Sequence, residues 1–125
     1  MENQAIIASM SENAVFLAKP QLLYQKAFIE AVAELQATQH DRYYVEKSLD
    51  LTKLAKKRFF RAYLKDIQEQ EAGIDLPVGR VPQTIYWLMK KPSDGQVIWL
   101  GRVAIRHQLN DNLRKIGGHI GYVIR

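Results

Sequence analysis

The chain contains no cysteine. Disulfide frameworks, thiolate zinc sites, iron–sulfur clusters and thiol nucleophiles are therefore excluded, and a cytoplasmic, reducing setting is expected. No apolar run approaches the ~18 residues that a membrane span needs. The first lysine is Lys19, so the start lacks the charged-then-apolar order of a secretory signal. The three histidines, His40, His107 and His119, share no metal-ligand spacing. Acidic residues are scarce late in the chain: residues 80–125 hold eight basic and two acidic side chains, against ten and eleven in residues 1–79. The net charge of +5 thus resides in the C-terminal third, as a patch suited to nucleic acid, an acidic partner or an anionic cofactor.

What is present suits a single domain. With 125 residues and 47% hydrophobic side chains, the chain can bury a core and leaves little room for a second one. Residues 1–13 are polar or small and read as a loose lead-in. Residues 14–79 carry a strand and two helices, and residues 80–125 a three-strand meander.

Ala14-Val15-Phe16-Leu17-Ala18 reads as a short strand buried on both faces, with Pro20 opening a helix behind it. Tyr24, Phe28, Ala31, Val32 and Leu35 recur at helical spacing to about Thr38. Ser48 and Asp50 offer caps for a second helix, whose core stripe reads Leu51, Leu54, Ala55, Phe59, Ala62, Tyr63 and Ile67, with Gly73 as its stop. Lys53, Lys57, Arg61 and Lys65 form a positive row along that helix, which by itself reads as a solvated face. Beyond Pro82, two β-branched and aromatic runs flank Pro92-Ser93-Asp94-Gly95 and predict an antiparallel hairpin. Leu109 to Lys115 reads as a polar loop, Gly117-Gly118 as a hinge, and His119 to Arg125 as a final strand. The predicted fold is α/β, β-α-α-β-β-β, with a mostly antiparallel sheet packed against two helices.

One stretch carries a family likeness. Val81-Pro82-Gln83-Thr84 leads into Tyr86-Trp87-Leu88. Gly101-Arg102, Arg106-His107 and Leu109-Asn110 follow, then Gly117-Gly118-His119-Ile120-Gly121-Tyr122 and Ile124-Arg125. This order resembles the middle of the GNAT N-acetyltransferase fold, in a branch of predicted acetyltransferases. The resemblance implies transfer of an acetyl group from acetyl-coenzyme A to an amine of unknown identity, by a GNAT fold truncated after its fourth strand. In that family the fourth strand pairs its backbone with the pantetheine arm. A glycine-rich turn opening a helix then holds the pyrophosphate on unpaired N–H groups.

By that resemblance Tyr122, Val123, Ile124 and Arg125 meet the cofactor, His119 relays the proton of the acceptor amine, and Tyr86, Arg106 and His107 face the acceptor. The sequence departs from the family in lacking the glycine-rich turn, the later tyrosine acid and a carboxylate near the fourth strand. Asp111 is the sole acidic residue after Gly95. The 125 residues alone are therefore expected to be inactive, and an exposed terminal strand invites a homodimer. The competing readings are nucleic-acid or acidic-partner binding through the basic C-terminal third, and a truncated gene product without function.

Overall fold

The computed structural model describes residues 14–38, 45–93, 95–115 and 118–125. The lead-in, His40, Asp94 of the turn and Gly117 of the hinge lie outside the described residues. Four strands, β1 (Ala14–Ala18), β2 (Gln83–Lys91), β3 (Ile98–Arg106) and β4 (Ile120–Ile124), form one antiparallel sheet in chain order. Two long helices, α1 (Gln25–Thr38) and α3 (Lys57–Ala72), lie on the same face of it, α1 over β3 and α3 over β2. Short helices α2 (Leu51–Leu54) and α4 (Asp111–Lys115) complete this α/β fold, and no described helix is long and apolar enough to cross a membrane.

Period-two alternation decides which side chains meet the helices. Ile85, Trp87 and Met89 of β2 point inward, as do Phe16 and Ala18 of β1, Trp99 and Ala104 of β3, and Val123 of β4. Phe28 of α1 stacks on Trp87 with ring centroids 4.7 Å apart, and meets Trp99 edge-on at 5.6 Å and Phe60 of α3 at 5.9 Å. Burying each of these side chains is worth roughly 1.5–3 kcal/mol. A β-bulge between Leu88 and Met89 keeps both tryptophans on the inner face.

One charged group belongs to this core. Glu46, in a 3₁₀ turn at Val45–Ser48, is fully buried, and Arg102 of β3 donates to it from Nε at 2.5 Å and from Nη2 at 3.1 Å. Gln36 Nε2 reaches the carbonyls of Glu46 and Leu49 at 3.0 Å, so the link between α1 and α2 is tied to both α1 and the sheet. Tyr63 packs nearby; burial and the Glu46 carboxylate push its phenol far above the usual range, while Arg102 acts in the opposite sense.

Several expectations need correction. Val15 and Leu17 are each 53% exposed, so β1 is buried on one face only. Pro20 stays outside the first helix, which starts with a 3₁₀ turn at Leu22–Tyr24. The second helix is broken: Asp50 caps α2 by accepting from the Lys53 N–H at 3.1 Å, but Lys56 is extended (φ −88°, ψ 130°) and α3 begins anew. Six positions on an unbroken helix amount to roughly 600° of rotation, which would put Leu54 and Phe60 on different faces. The break resets the phase, so Phe60 is fully buried while Phe59 is half-buried and Ala55 and Ala62 are exposed. Gly73 does end the helix, at φ 77°. The expected loop at 109–115 contains α4, capped by Asn110 Oδ1 accepting from the Leu113 N–H at 2.8 Å.

The other sheet face carries no helix among the described residues. Val15, Leu17, Ile105, Ile120, Tyr122 and Ile124 are 40–63% exposed there, an apolar surface on the order of 600 Å².

Candidate functional site

Among the described residues β4 is an edge strand, and the ladder decides which of its groups are free. The Arg106 N–H donates to the His119 carbonyl at 2.7 Å and the Arg125 N–H to the Leu100 carbonyl at 2.6 Å. In an antiparallel pair this pattern alternates, so residues 119, 121, 123 and 125 spend their backbone groups on β3. The N–H and C=O groups of Ile120, Tyr122 and Ile124 therefore point to the open edge. Gly101 lets β4 come this close, because a Cβ there would collide with the Val123 carbonyl.

This geometry divides the residues expected to meet a cofactor. Tyr122 and Ile124 offer free backbone edges, with side chains on the open sheet face. Val123 is turned the other way, its side chain buried against the helices. Arg125 also lies on the helix side, where it bonds Glu34 of α1 and holds that carboxyl below its usual range.

The three residues expected at the acceptor are divided too. Tyr86 pairs with Val103, and Val103 with Tyr122, so Tyr86 and Tyr122 share the open face in one row across the sheet. Arg106 follows inward-facing Ala104 by two residues and lies on the opposite face, where Nη1 donates to the Gly118 carbonyl at 2.9 Å and the guanidinium covers Gly121. His119 is exposed, its Nδ1 3.4 Å from the Arg106 carbonyl.

His107 belongs to a cluster that sequence reasoning did not assemble. Its Nε2 lies 2.7 Å from Thr84 Oγ1, which donates to Glu71 Oε1 at 3.2 Å. Lys19 Nζ donates to both Glu71 oxygens, at 3.0 and 2.9 Å, and sits 5.2 Å from the Tyr86 ring centroid. The Lys19 hydrogen bonds hold the Glu71 carboxyl below its usual range, against an opposing pull from burial. An ionised Glu71 only accepts, so the Thr84 hydroxyl proton goes to it and His107 must donate from Nε2. The neutral imidazole then presents Nδ1 as a basic nitrogen. These residues come from the ends of β1, α3, β2 and β3, and no sequence spacing links them.

The patch expected in the C-terminal third is spent in part, three of its eight basic side chains being in ion pairs. Arg102 pairs with Glu46, Arg114 with Asp111 and Arg125 with Glu34. No grouping of His, Asp and Glu among the described residues is arranged to hold a metal ion.

Comparison with known proteins gave no family model, no curated protein and no solved structure that matches the chain.

Proposed function

We propose that this chain is an acetyl-coenzyme A-dependent N-acetyltransferase-type domain, in which the open edge of β4 receives the pantetheine arm of the acyl donor. The observation that carries the reading is the alternating free backbone of Ile120, Tyr122 and Ile124 on a terminal antiparallel strand, the geometry by which an extended ligand joins a sheet. The order of strands and helices, with both long helices on one sheet face, agrees with the likeness seen in residues 81–125.

The group bound here supplies an activated acetyl thioester. With its pyrophosphate beyond the C-terminal end of β4, the pantetheine arm lies back along the strand toward His119. His107 stands at that end of the sheet, held in one tautomer by Thr84 and Glu71. It is better placed than His119 to accept the proton of an incoming ammonium, because its basic nitrogen is set by a fixed partner. Placement of amine beside thioester supplies most of the rate enhancement.

The pyrophosphate-holding turn is not in these 125 residues, so the chain alone has one wall of the cleft. Titration with acetyl-pantetheine, which has no phosphates to hold, tests the wall by NMR. At millimolar ligand the amide resonances of Ile120, Tyr122 and Ile124 shift, and those of Gly121 and Val123 shift less. Absence of shifts, or shifts away from β4, overturns the proposal. Calorimetry with acetyl-coenzyme A is expected to show weak binding and turnover is expected to be absent. Tight, stoichiometric binding would refute the single-wall reading.

A further inference from the structure

We propose that the basic face formed by α2 and the first half of α3, together with Phe59 and the cleft beside it, binds single-stranded nucleic acid. The inference is independent of the acyl-transfer reading and rests on different residues.

Residues 51–65 contain six cations, Lys53, Lys56, Lys57, Arg58, Arg61 and Lys65, and no acidic residue. All six are exposed. Among the described residues only Lys65 has an ion-pair partner, Glu69, at 4.0 Å. This contrasts with the C-terminal third, whose arginines are mostly occupied. Among the described residues, folding thus neutralises part of one basic region and leaves the other nearly without ion pairs.

The free region is also arranged against its own helix. Lys56, Lys57 and Arg58 crowd the N-terminal end of α3, where the helix dipole already disfavours positive charge, and no acidic residue stands in that first turn. Lys57, Arg61 and Lys65 repeat at every turn, like charges about 6 Å apart along the axis. A polyanion relieves both conflicts, and that axial spacing is comparable to the separation of phosphates on an extended strand.

An aromatic ring and a cleft separate nucleic acid from a merely acidic protein. The broken helix leaves Phe59 half-buried, with Lys53 Nζ over its ring at 4.8 Å and Arg58 Cζ at 4.6 Å from the centroid, cations that a stacking base would displace toward its phosphates. Beside it lies a cleft of about 220 Å³ whose apolar wall includes Leu54, Phe59 and Tyr63, with the carboxylates of Asp50 and Asp66 at its margin. A base has a flat apolar face for Phe59 and N–H donors for a carboxylate, while its phosphates meet the surrounding cations. An acidic peptide uses the cations alone.

The test is fluorescence anisotropy of a labelled twelve-nucleotide oligo-dT and of an oligo-rC with the 125-residue chain, from 20 to 200 mM salt. Binding is expected to weaken with salt along a slope of about −0.7 per phosphate engaged, for three to five phosphates. K57E/R61E is expected to lower affinity at least tenfold and flatten the slope. F59A is expected to lower affinity about fivefold or more with the slope unchanged. R114E/K115E, in the C-terminal third, is expected to change affinity less than twofold. Circular dichroism confirms that each variant is folded; if F59A is not, F59L replaces it, retaining apolar volume without an aromatic face. No binding at 20 mM salt overturns the proposal. So does equal binding of oligo-glutamate with no effect at Phe59, which marks an acidic-protein surface instead.

Discussion

Removing Arg102 is expected to cost far more than the loss of an ordinary ion pair, because its partner has nowhere to go. The Glu46 side chain has no exposure and that of Arg102 only 15%. Replacing Arg102 by leucine deletes both hydrogen bonds and leaves a carboxylate near Tyr63 in the interior. Breaking one side of such a pair costs about 3–5 kcal/mol, a large part of the 5–15 kcal/mol that typically holds a domain together. Replacing both partners with apolar residues, E46L/R102M, removes the charge and its compensation together. That variant is expected within about 1 kcal/mol of the parent, or above it. Trp87 and Trp99 are fully buried and report unfolding directly. Urea denaturation followed by their fluorescence gives the three free-energy differences, provided that the slope with urea stays constant. The expected signature is a coupling energy of several kcal/mol with a tolerated double variant. A cost below about 1 kcal/mol for R102L, with no coupling, would refute the argument, since it would mean that Glu46 escapes to water.

Other outcomes follow from the same geometry. Phe60→Ala empties a fully buried site and is expected to cost about 3–5 kcal/mol by the same urea assay, whereas Phe59→Ala, one residue away, costs less than about 1 kcal/mol. Glu71 is held below its usual carboxyl value, so its contribution to stability is complete above about pH 4.3 and fades as pH falls through its lower folded value. E71Q should therefore show a shallower loss of stability between pH 5 and 3, and an unchanged slope would count against the Lys19–Glu71 contact. The open apolar face and the free β4 edge predict concentration-dependent self-association of the 125-residue chain by sedimentation velocity, reduced by Y122K/I124K; a monomer at all concentrations contradicts that.

Local signals in the sequence were enough for much of the frame. The limits of β1, the Tyr24-to-Leu35 stripe, the hairpin and the Gly73 stop all depend on neighbours within a few positions. The break at Lys56 was not legible, since the residues around it are acceptable helix formers and the phase reset is imposed by packing Leu54 and Phe60 on one sheet. Helix α4 was hidden for a different reason: four polar residues around a single Leu113 give no apolar stripe, and only Asn110 marks its start. The division of Tyr86 from Arg106 required the strand register, which pairs Tyr86 with Val103 and Arg106 with Gln83. The Lys19–Glu71–Thr84–His107 cluster needed the tertiary fold itself.

Charge shows most clearly why linear composition misleads. The C-terminal third has the greatest excess of basic residues, yet two of its arginines are tied to acids far away in the chain: Arg102 to Glu46, 56 positions earlier, and Arg125 to Glu34, 91 positions earlier. Residues 1–79 are nearly neutral by count, and folding draws those two acids away to the C-terminal arginines. Among the described residues, the exposed run from Lys53 to Lys65 on that half keeps its cations with one ion pair, Lys65 to Glu69. A surface potential is the sum over residues brought together by folding, not over residues adjacent in sequence. A continuous basic face of this protein is therefore helical and lies before residue 66, where six exposed cations stand within thirteen positions without an intervening acid.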